Sequence, residues 1–344
     1  MNKVGSLKFR IVEPMMFRGP GEFDVSSRGA QSSARSLAMP TPSTIMGALL
    51  ASLIKNESEI PAAKDDWTKE YSIFIGANGV IRGPYLVAGQ WTFVEDGVNN
   101  VLLKLEEIKI LCEQFKKSNF EENKENIISK AKRRGIPSFV ERVGVGLCAR
   151  TNPSIKVTKE GLLYSAYFTD YSSRETAGAH IHIDMNIKED IWGRISDSRI
   201  VRLGGEGRVS LLETTNDTVI GKLKDEFWND IDIFTGELAL FLISPTLFKT
   251  GKEEFELKEE IRGYIKKACD EVKEVMICGE ANVLGAGYSF TKGRRKPIYL
   301  ALKQGSIIVT AVTNCRLEAL YWNGIGEIGN EIGYGSAIPV PITY

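Results

Sequence analysis

The first clear alternation along the chain is Ser6-Leu-Lys-Phe-Arg-Ile-Val12, whose period of two predicts a half-buried strand. A Gly/Ser-rich, arginine-bearing stretch from Gly19 to Met39 breaks the pattern and is longer than most connections between elements. Pro40-Thr-Pro-Ser-Thr44 then supplies prolines and hydroxyl caps for a helix over Ile45–Ile54. Val80 to Val94 reads as a strand or hairpin. Leu105, Ile108, Leu111 and Phe115 recur at helical spacing, and Leu105 to Arg134 reads as a long helical pair. Gly161–Phe168 and Ala179–Met185 read as strands. Arg199-Ile-Val-Arg-Leu203 runs into Gly204-Gly-Glu-Gly-Arg-Val209, a glycine turn between strands.

The segment Glu213 to Glu260 holds twelve acids against five lysines and reads as a solvated boundary. Within it, Gly236–Ile243 opens a second unit as a strand, and Glu254 to Val272 is its helix. Val275–Val283, Ile298–Leu302 and Ile307–Val312 follow as strands. Strand, helix, strands, helix, strand thus occurs twice. That order predicts an α+β fold of two split βαβ units in tandem, residues 1–215 and 216–344, with long inserted loops. A doubly wound parallel sheet is disfavoured, because the strands cluster instead of alternating with helices.

Composition narrows the class. The chain has 344 residues, 43% hydrophobic and 26% charged, as soluble globular chains do. No run reaches the length of a membrane span, and Met1-Asn-Lys-Val-Gly lacks the features of a signal peptide. The five cysteines are odd in number and form no CxxC pair, which predicts reduced thiols and a cytoplasmic setting and disfavours a zinc ribbon. Neither a cofactor nor a metal is expected.

Charge changes the picture only locally. Lys/Arg and Asp/Glu balance at 44 each, so a nucleic-acid site must come from clustering. Ala281 to Leu317 carries six Lys/Arg and no acid, including Lys292, Arg294, Arg295 and Lys296 beside the glycine turn Gly285-Ala-Gly287. Two further acid-free windows hold Arg28 and Arg35, and Arg142 and Arg150. Single-stranded RNA is held by such cations and by bases stacked on aromatic or guanidinium planes. Gly204, Gly205 and Arg208 offer a close backbone approach beside a cation, or else a turn that only the fold requires. Tyr164 and Phe168 share one strand face and Tyr167 the other, so part of that set is core and Tyr167 is the candidate for stacking.

Several motifs fall in one order: Glu13-Pro-Met-Met-Phe-Arg18, Pro42-Ser-Thr-Ile-Met-Gly-Ala48, Arg142-Val-Gly-Val-Gly146, Glu160-Gly-Leu-Leu-Tyr164, Leu203-Gly-Gly-Glu-Gly-Arg208, Gly293-Arg-Arg-Lys-Pro297 and Gly333-Tyr-Gly335. The ordered set resembles the third-subunit family of the type III-B CRISPR (Cmr) effector, within the repeat-associated (RAMP) superfamily of RRM-like folds. The resemblance spans nearly the whole chain and adds Arg18 to the candidate RNA contacts. It implies two ferredoxin-like domains and no catalysis. It also implies that the subunit holds the 5′ repeat-derived tag of CRISPR RNA. The implied protein partners are the large polymerase/cyclase-like subunit and the backbone subunits of the complex.

Two alternatives stay open: the equivalent subunit of the type III-A (Csm) complex, and a RAMP-type RNA-processing endonuclease. The latter would use His180 or His182, which share a strand face with Asp184 as a general acid/base or metal-binding set. An ordinary strand face is the competing reading of that HxHxD run. Gly324-Ile-Gly-Glu-Ile-Gly329 matches GxGxxG, but too little chain follows it for a dinucleotide-binding βαβ unit.

Overall fold

Alternation in His180-Ile-His-Ile-Asp-Met-Asn-Ile-Lys188 builds the central element of the fold. Ile181, Ile183, Met185 and Ile187 are fully buried on one face, and His182 and Asp184 lie on the other. The computed structural model describes residues 2–17, 33–53, 67–68, 71, 75–76, 78–149, 156–173, 176–196, 200–229, 231–285, 288–289 and 294–342.

In chain order the first elements are β1 (Asn2–Ile11), β2 (Ser33–Arg35), α1 (Pro42–Leu53), β3 (Val80–Ala88), β4 (Trp91–Asp96) and β5 (Val101–Lys104). Next come α2 (Leu105–Gln114), α3 (Phe120–Arg134), β6 (Ser138–Ala149), β7 (Lys156–Asp170), β8 (His180–Lys188), α4 (Glu189–Ser196), β9 (Ile200–Arg202) and β10 (Val209–Thr215). Beyond them lie α5 (Val219–Leu223), β11 (Ile233–Leu242), α6 (Glu254–Ile265), β12 (Glu271–Val272), β13 (Met276–Cys278), β14 (Ala281–Gly285) and β15 (Tyr288–Ser289). The chain closes with β16 (Arg294–Arg295), β17 (Ile298–Leu302), β18 (Ile307–Arg316), α7 (Leu317–Asn323) and β19 (Ala337–Ile342).

These elements make a mixed α+β architecture of several sheets. A seven-stranded sheet runs β5-β4-β3-β8-β1-β10-β9, and a five-stranded sheet runs β12-β18-β11-β19 with β13 also on β18. Their pairings are antiparallel. Smaller sheets are β2-β7-β6, β14-β17 and β15-β16. One face of the seven-stranded sheet packs its aliphatic side chains with Ile45, Leu49 and Trp192 from α1 and α4. The opposite face, with Tyr85, Val87 and Val94, shares a core with α2, α3 and the five-stranded sheet. The hydrophobic core is therefore continuous between the two large sheets.

That shared face contains a polar row. Ser6, Asp184 and Arg82 lie side by side on β1, β8 and β3, and all three are fully buried. Arg82 donates to the carbonyl oxygens of Ile81 (2.6 Å), Tyr321 (2.9 Å) and Asn330 (2.6 Å), to Trp322 O, and to Asn330 Oδ1 (2.9 Å). Burial pulls the Arg82 pKa down to about 10, so the guanidinium remains charged at neutral pH. Asp184 accepts from Ser6 Oγ (2.6 Å), the Val219 and Ile220 amides (2.9 and 2.8 Å) and the Tyr321 hydroxyl (2.8 Å). A buried charge is tolerable only with this degree of satisfaction.

Several predicted boundaries move. The helix expected to Val272 ends at Ile265, because Asp270 and Lys273 turn to bond Thr313 and Ala311 of β18. The strand expected over Val275–Val283 is two strands on different sheets. It is interrupted near Gly279, where a Cβ would fall 2.1 Å from Ser306 Oγ. The expectation of wholly reduced cysteines is corrected: Cys269 and Cys315 form a disulfide between the segment after α6 and the end of β18. Spatial proximity across 46 residues carries no sequence motif. Among the described residues, no helix is long and apolar enough to cross a membrane.

Arg82→Met should lower unfolding free energy by on the order of 3 kcal/mol, since it strands several buried carbonyls. A guanidinium midpoint unchanged from wild type would refute that role. A second expectation concerns Glu95 at the contact between β4 and the Gln304 turn. Burial raises its pKa from 4.5 to about 7, against a hydrogen bond from Gln304. A raised carboxyl contributes stability that is present below its unfolded value and lost as pH rises through about 7. His180, lowered by burial to about 4, acts oppositely, losing stability as pH falls below 6.5. Subtracting the pH profile of Glu95→Gln from that of wild type isolates the first effect, which should amount to on the order of 2–3 kcal/mol between pH 4.5 and pH 8.

Candidate nucleic-acid interface

The long hairpin of β6 and β7, joined by the short parallel strand β2, gathers three of the candidate arginines. Period-two geometry sends Tyr167 and Phe168 to opposite faces of β7. On one face, Arg35 lies directly beside Tyr167, with its guanidinium carbon 5.7 Å from the ring centroid. Arg35 is exposed and Tyr167 is half-buried. Phe139 and Val143, exposed on β6, extend that face, and Glu141 stands opposite Tyr167.

On the other face, Phe168 is buried against Met16 and Ala166. Two guanidinium groups approach its ring: Arg142 at 5.3 Å and Arg208 at 4.5 Å from the centroid. Arg142 is exposed on β6, whereas Arg208 arrives from the glycine turn and forms an ion pair with Glu13. Cations over an aromatic face are attracted by the ring quadrupole, by roughly 0.5–2 kcal/mol each depending on desolvation. Phe168 is thus shared by two guanidinium groups, one of which is paired with Glu13.

Gly204 and Gly205 are placed by the fold itself. Gly205 N donates to Met16 O at 2.7 Å, and a Cβ on Gly204, at φ +83°, would lie 2.4 Å from the same oxygen. The glycine turn is thereby pinned to the strand-end segment Met15–Phe17, and this pinning delivers Arg208 to Phe168. The motif Glu13-Pro-Met-Met-Phe-Arg18 contains both Glu13 and Met16, but nothing local in it announces their contacts with Arg208 and Gly205.

The C-terminal basic group divides. Arg294 and Arg295 form β16, antiparallel to Tyr288 and Ser289, and their side chains lie outside the described set. Lys296 points inward and is buried. Its ammonium donates to the Tyr71 hydroxyl at 2.8 Å and sits 4.5 and 4.9 Å from the ring centroids of Trp67 and Tyr71. Trp67 in turn donates to the Tyr299 hydroxyl at 2.8 Å. Arg18, Arg28, Arg150 and Lys292 lie outside the described residues.

The His180, His182 and Asp184 set does not form an open acid/base site. Asp184 is fully buried and engaged by four donors, with His182 Nε2 a further 3.3 Å away. His182 is itself buried. The carboxylate fastens β8 to α5 and α7, leaving no lone pair directed at a substrate. Among the described residues, no group of three His, Cys, Asp or Glu side chains is arranged to hold a metal ion.

The sheets and the guanidinium–aromatic surface define an α+β protein that displays cations and rings on a β hairpin. More specifically, the family model for the CRISPR-associated protein Cas_Cmr3 matches residues 108–341, and this chain belongs to that family. A curated relative, the CRISPR system CMR subunit Cmr3 of Saccharolobus solfataricus, is 23% identical over 309 residues, covering 88% of this chain and 84% of the relative. A chain in the cryo-EM structure of the type III-B Cmr-beta complex bound to cognate target RNA has the same fold. It matches with a TM-score of 0.63 at 22% identity, covering 88% of this chain and 86% of that one. A second structure of that complex, with target RNA and AMPPnP, gives a TM-score of 0.62.

Lys296→Met should cost about 1–2 kcal/mol of stability, because it removes a desolvated cation from two rings and a hydroxyl. It should leave the salt dependence of RNA binding unchanged. A flatter salt slope with unaltered thermal stability would instead make Lys296 a phosphate contact.

Proposed function

We propose that this chain is a non-catalytic, RNA-holding subunit of a type III-B CRISPR effector. In this reading it grips the 5′ repeat-derived tag of the CRISPR RNA and docks the large polymerase/cyclase-like subunit and the backbone subunits. The observation that carries the RNA-holding part is the convergence of Arg142 and Arg208 on Phe168, with Arg35 beside Tyr167 on the reverse of the same strand. Arginines held against rings lose less freedom on meeting a phosphate than arginines extended into water. Arg35 and Arg142 are the exposed members and take the phosphate contacts, and Tyr167 offers a stacking face. Arg208, neutralised by Glu13, supports Arg142 through the shared ring. Arg294 and Arg295 are a second candidate contact area, and Arg18, Arg28, Arg150 and Lys292, outside the described residues, stay candidate contacts from the sequence alone.

We further read the chain as two ferredoxin-like units, 1–215 and 216–344. Support comes from a repeated strand order. The path β10-β1-β8-β3 in the first sheet has the same connectivity as β19-β11-β18-β12 in the second, each being fourth, first, third and second strand of a βαββαβ unit. Strands β4, β5 and β9 extend the first sheet at its edges.

The double variant Arg35→Glu/Arg142→Glu should weaken binding of a single-stranded RNA bearing the repeat-derived 5′ end. It should also reduce the slope of log K against log salt by about 1.4, from two lost contacts at roughly 0.7 each. Filter binding across a salt series reads both quantities. An unchanged slope would remove this surface from the RNA path, and cleavage of the RNA by wild type would overturn the non-catalytic reading.

A further inference from the structure

Among the described residues, the ribbon of β14 and β17 ends in an unpaired edge whose chemistry suits another protein strand. On its inner side, β17 is bonded to the segment after β11: Phe248 N donates to Leu300 O at 2.8 Å and Leu300 N to Phe248 O at 3.0 Å. Thr246 N likewise donates to Leu302 O at 3.1 Å, and Leu302 N to Thr246 Oγ1 at 3.0 Å. Leu300 and Leu302 therefore direct their backbone groups away from β14. Their cross-strand partners are Val283 and Ala281. In an antiparallel ladder, residues facing such non-bonded positions direct their own N–H and C=O to the opposite edge. Ala281 and Val283, and by the same alternation Gly285, thus aim their backbone groups outward, while Asn282 and Leu284 close the ribbon. Those three residues are all exposed, and among the described residues no other strand pairs with β14.

Proteins usually blunt such an edge with charge, proline, a bulge or a covering element. Ala281-Asn-Val-Leu-Gly285 has no charge and no proline, and its register with β17 is unbroken. The exposed face of the ribbon is aliphatic instead: Val283 is 64% and Ile298 60% exposed, on one side by their register. At the Gly285 end, the chain leads within three residues into β15, whose partner β16 carries Arg294 and Arg295. No acid occurs between Ala281 and Leu317.

We infer that β14 is a strand-addition site for an extended segment of another protein subunit, aliphatic at alternate positions and acidic toward the Arg294–Arg295 end. Main-chain bonds to Ala281, Val283 and Gly285 would supply affinity, and the Val283–Ile298 stripe would supply side-chain selectivity. RNA fits the same edge less well. Its phosphates would meet outward carbonyls as often as amides, and valine and isoleucine offer no π face to a base. The inference rests on the reading of this chain as a subunit of a larger assembly.

Amide hydrogen exchange of the 281–285 segment tests it, measured on the isolated chain and on the assembled ribonucleoprotein. Exchange of the outward amides should slow by on the order of tenfold or more on assembly and stay slow after nuclease digestion. Val283→Pro removes one outward donor while sparing the inward ladder, and should cut incorporation into the assembly without changing the isolated chain's circular dichroism. If that variant fails to fold, Val283→Lys/Ile298→Lys should give the same loss. Equal exchange in both states would overturn the inference, as would protection lost with the RNA. Protection in the isolated chain that rises with concentration would point to a second copy and also overturn it. Entry into the assembly with β14 unprotected refutes this inference alone; a chain that enters no assembly refutes the functional reading as well.

Discussion

Two opposite charges buried side by side under the second sheet set the terms for the rest of the molecule. Arg82 and Asp184 occupy neighbouring positions on β3 and β8, yet each is satisfied by a different set of groups. Arg82 gathers the carbonyls at the end of α7 and around Asn330, and Asp184 gathers the first amides of α5 and the Tyr321 hydroxyl. Apart from Ile81 O and Ser6 Oγ, these partners lie in the second half of the chain. Neither ion can stay buried unless α5, α7 and the Asn330 segment are docked in one orientation, because the donors and acceptors are directional. Hydrophobic burial makes the two sheets associate, and the polar row fixes how.

Local packing places the described basic residues in different settings. Arg35, Arg142 and Arg208 are organised by the β2-β7-β6 hairpin and its rings, while Arg294 and Arg295 ride on a ribbon anchored through Lys296, Trp67 and Tyr71. Lys296 shows how little a positive charge in sequence says about its use. A lysine beside two arginines and a proline becomes an interior strut once two aromatic rings and a hydroxyl surround its ammonium. The same logic separates Arg208 from Arg142: Glu13 neutralises one, and the other faces solvent.

Much of the element order was legible in the chain. The alternation at Ser6–Val12 and Ala179–Met185 became β1 and β8, and helical spacing after Leu105 became α2 and α3. What failed to read were features that depend on a distant partner. Strand β2 has only three residues and is stabilised by pairing with β7, well over a hundred residues away. The join between β13 and β14 is set by the approach of Ser306, and the Cys269–Cys315 disulfide by the packing of α6 against the sheet. Of the site, Arg35 and Arg142 could be nominated from acid-free windows, Arg208 from its glycine run and Tyr167 from strand alternation, but not the Phe168 ring and the Glu13 carboxylate that sort the arginines.

The sequence by itself determined the strand faces, the principal helices, the ordered motifs that resemble the Cmr third-subunit family, and the rough location of positive charge. Those properties are local, since period-two and period-3.6 patterns and charge density are written within a few residues. The tertiary structure alone decided which of the described cations stay in water, which histidine-flanked carboxylate becomes a fastening point, and which strand edge is left unpaired among the described residues. Each of those outcomes depends on desolvation and on the direction of hydrogen bonds from residues far along the chain. Neither quantity exists until the sheets have met.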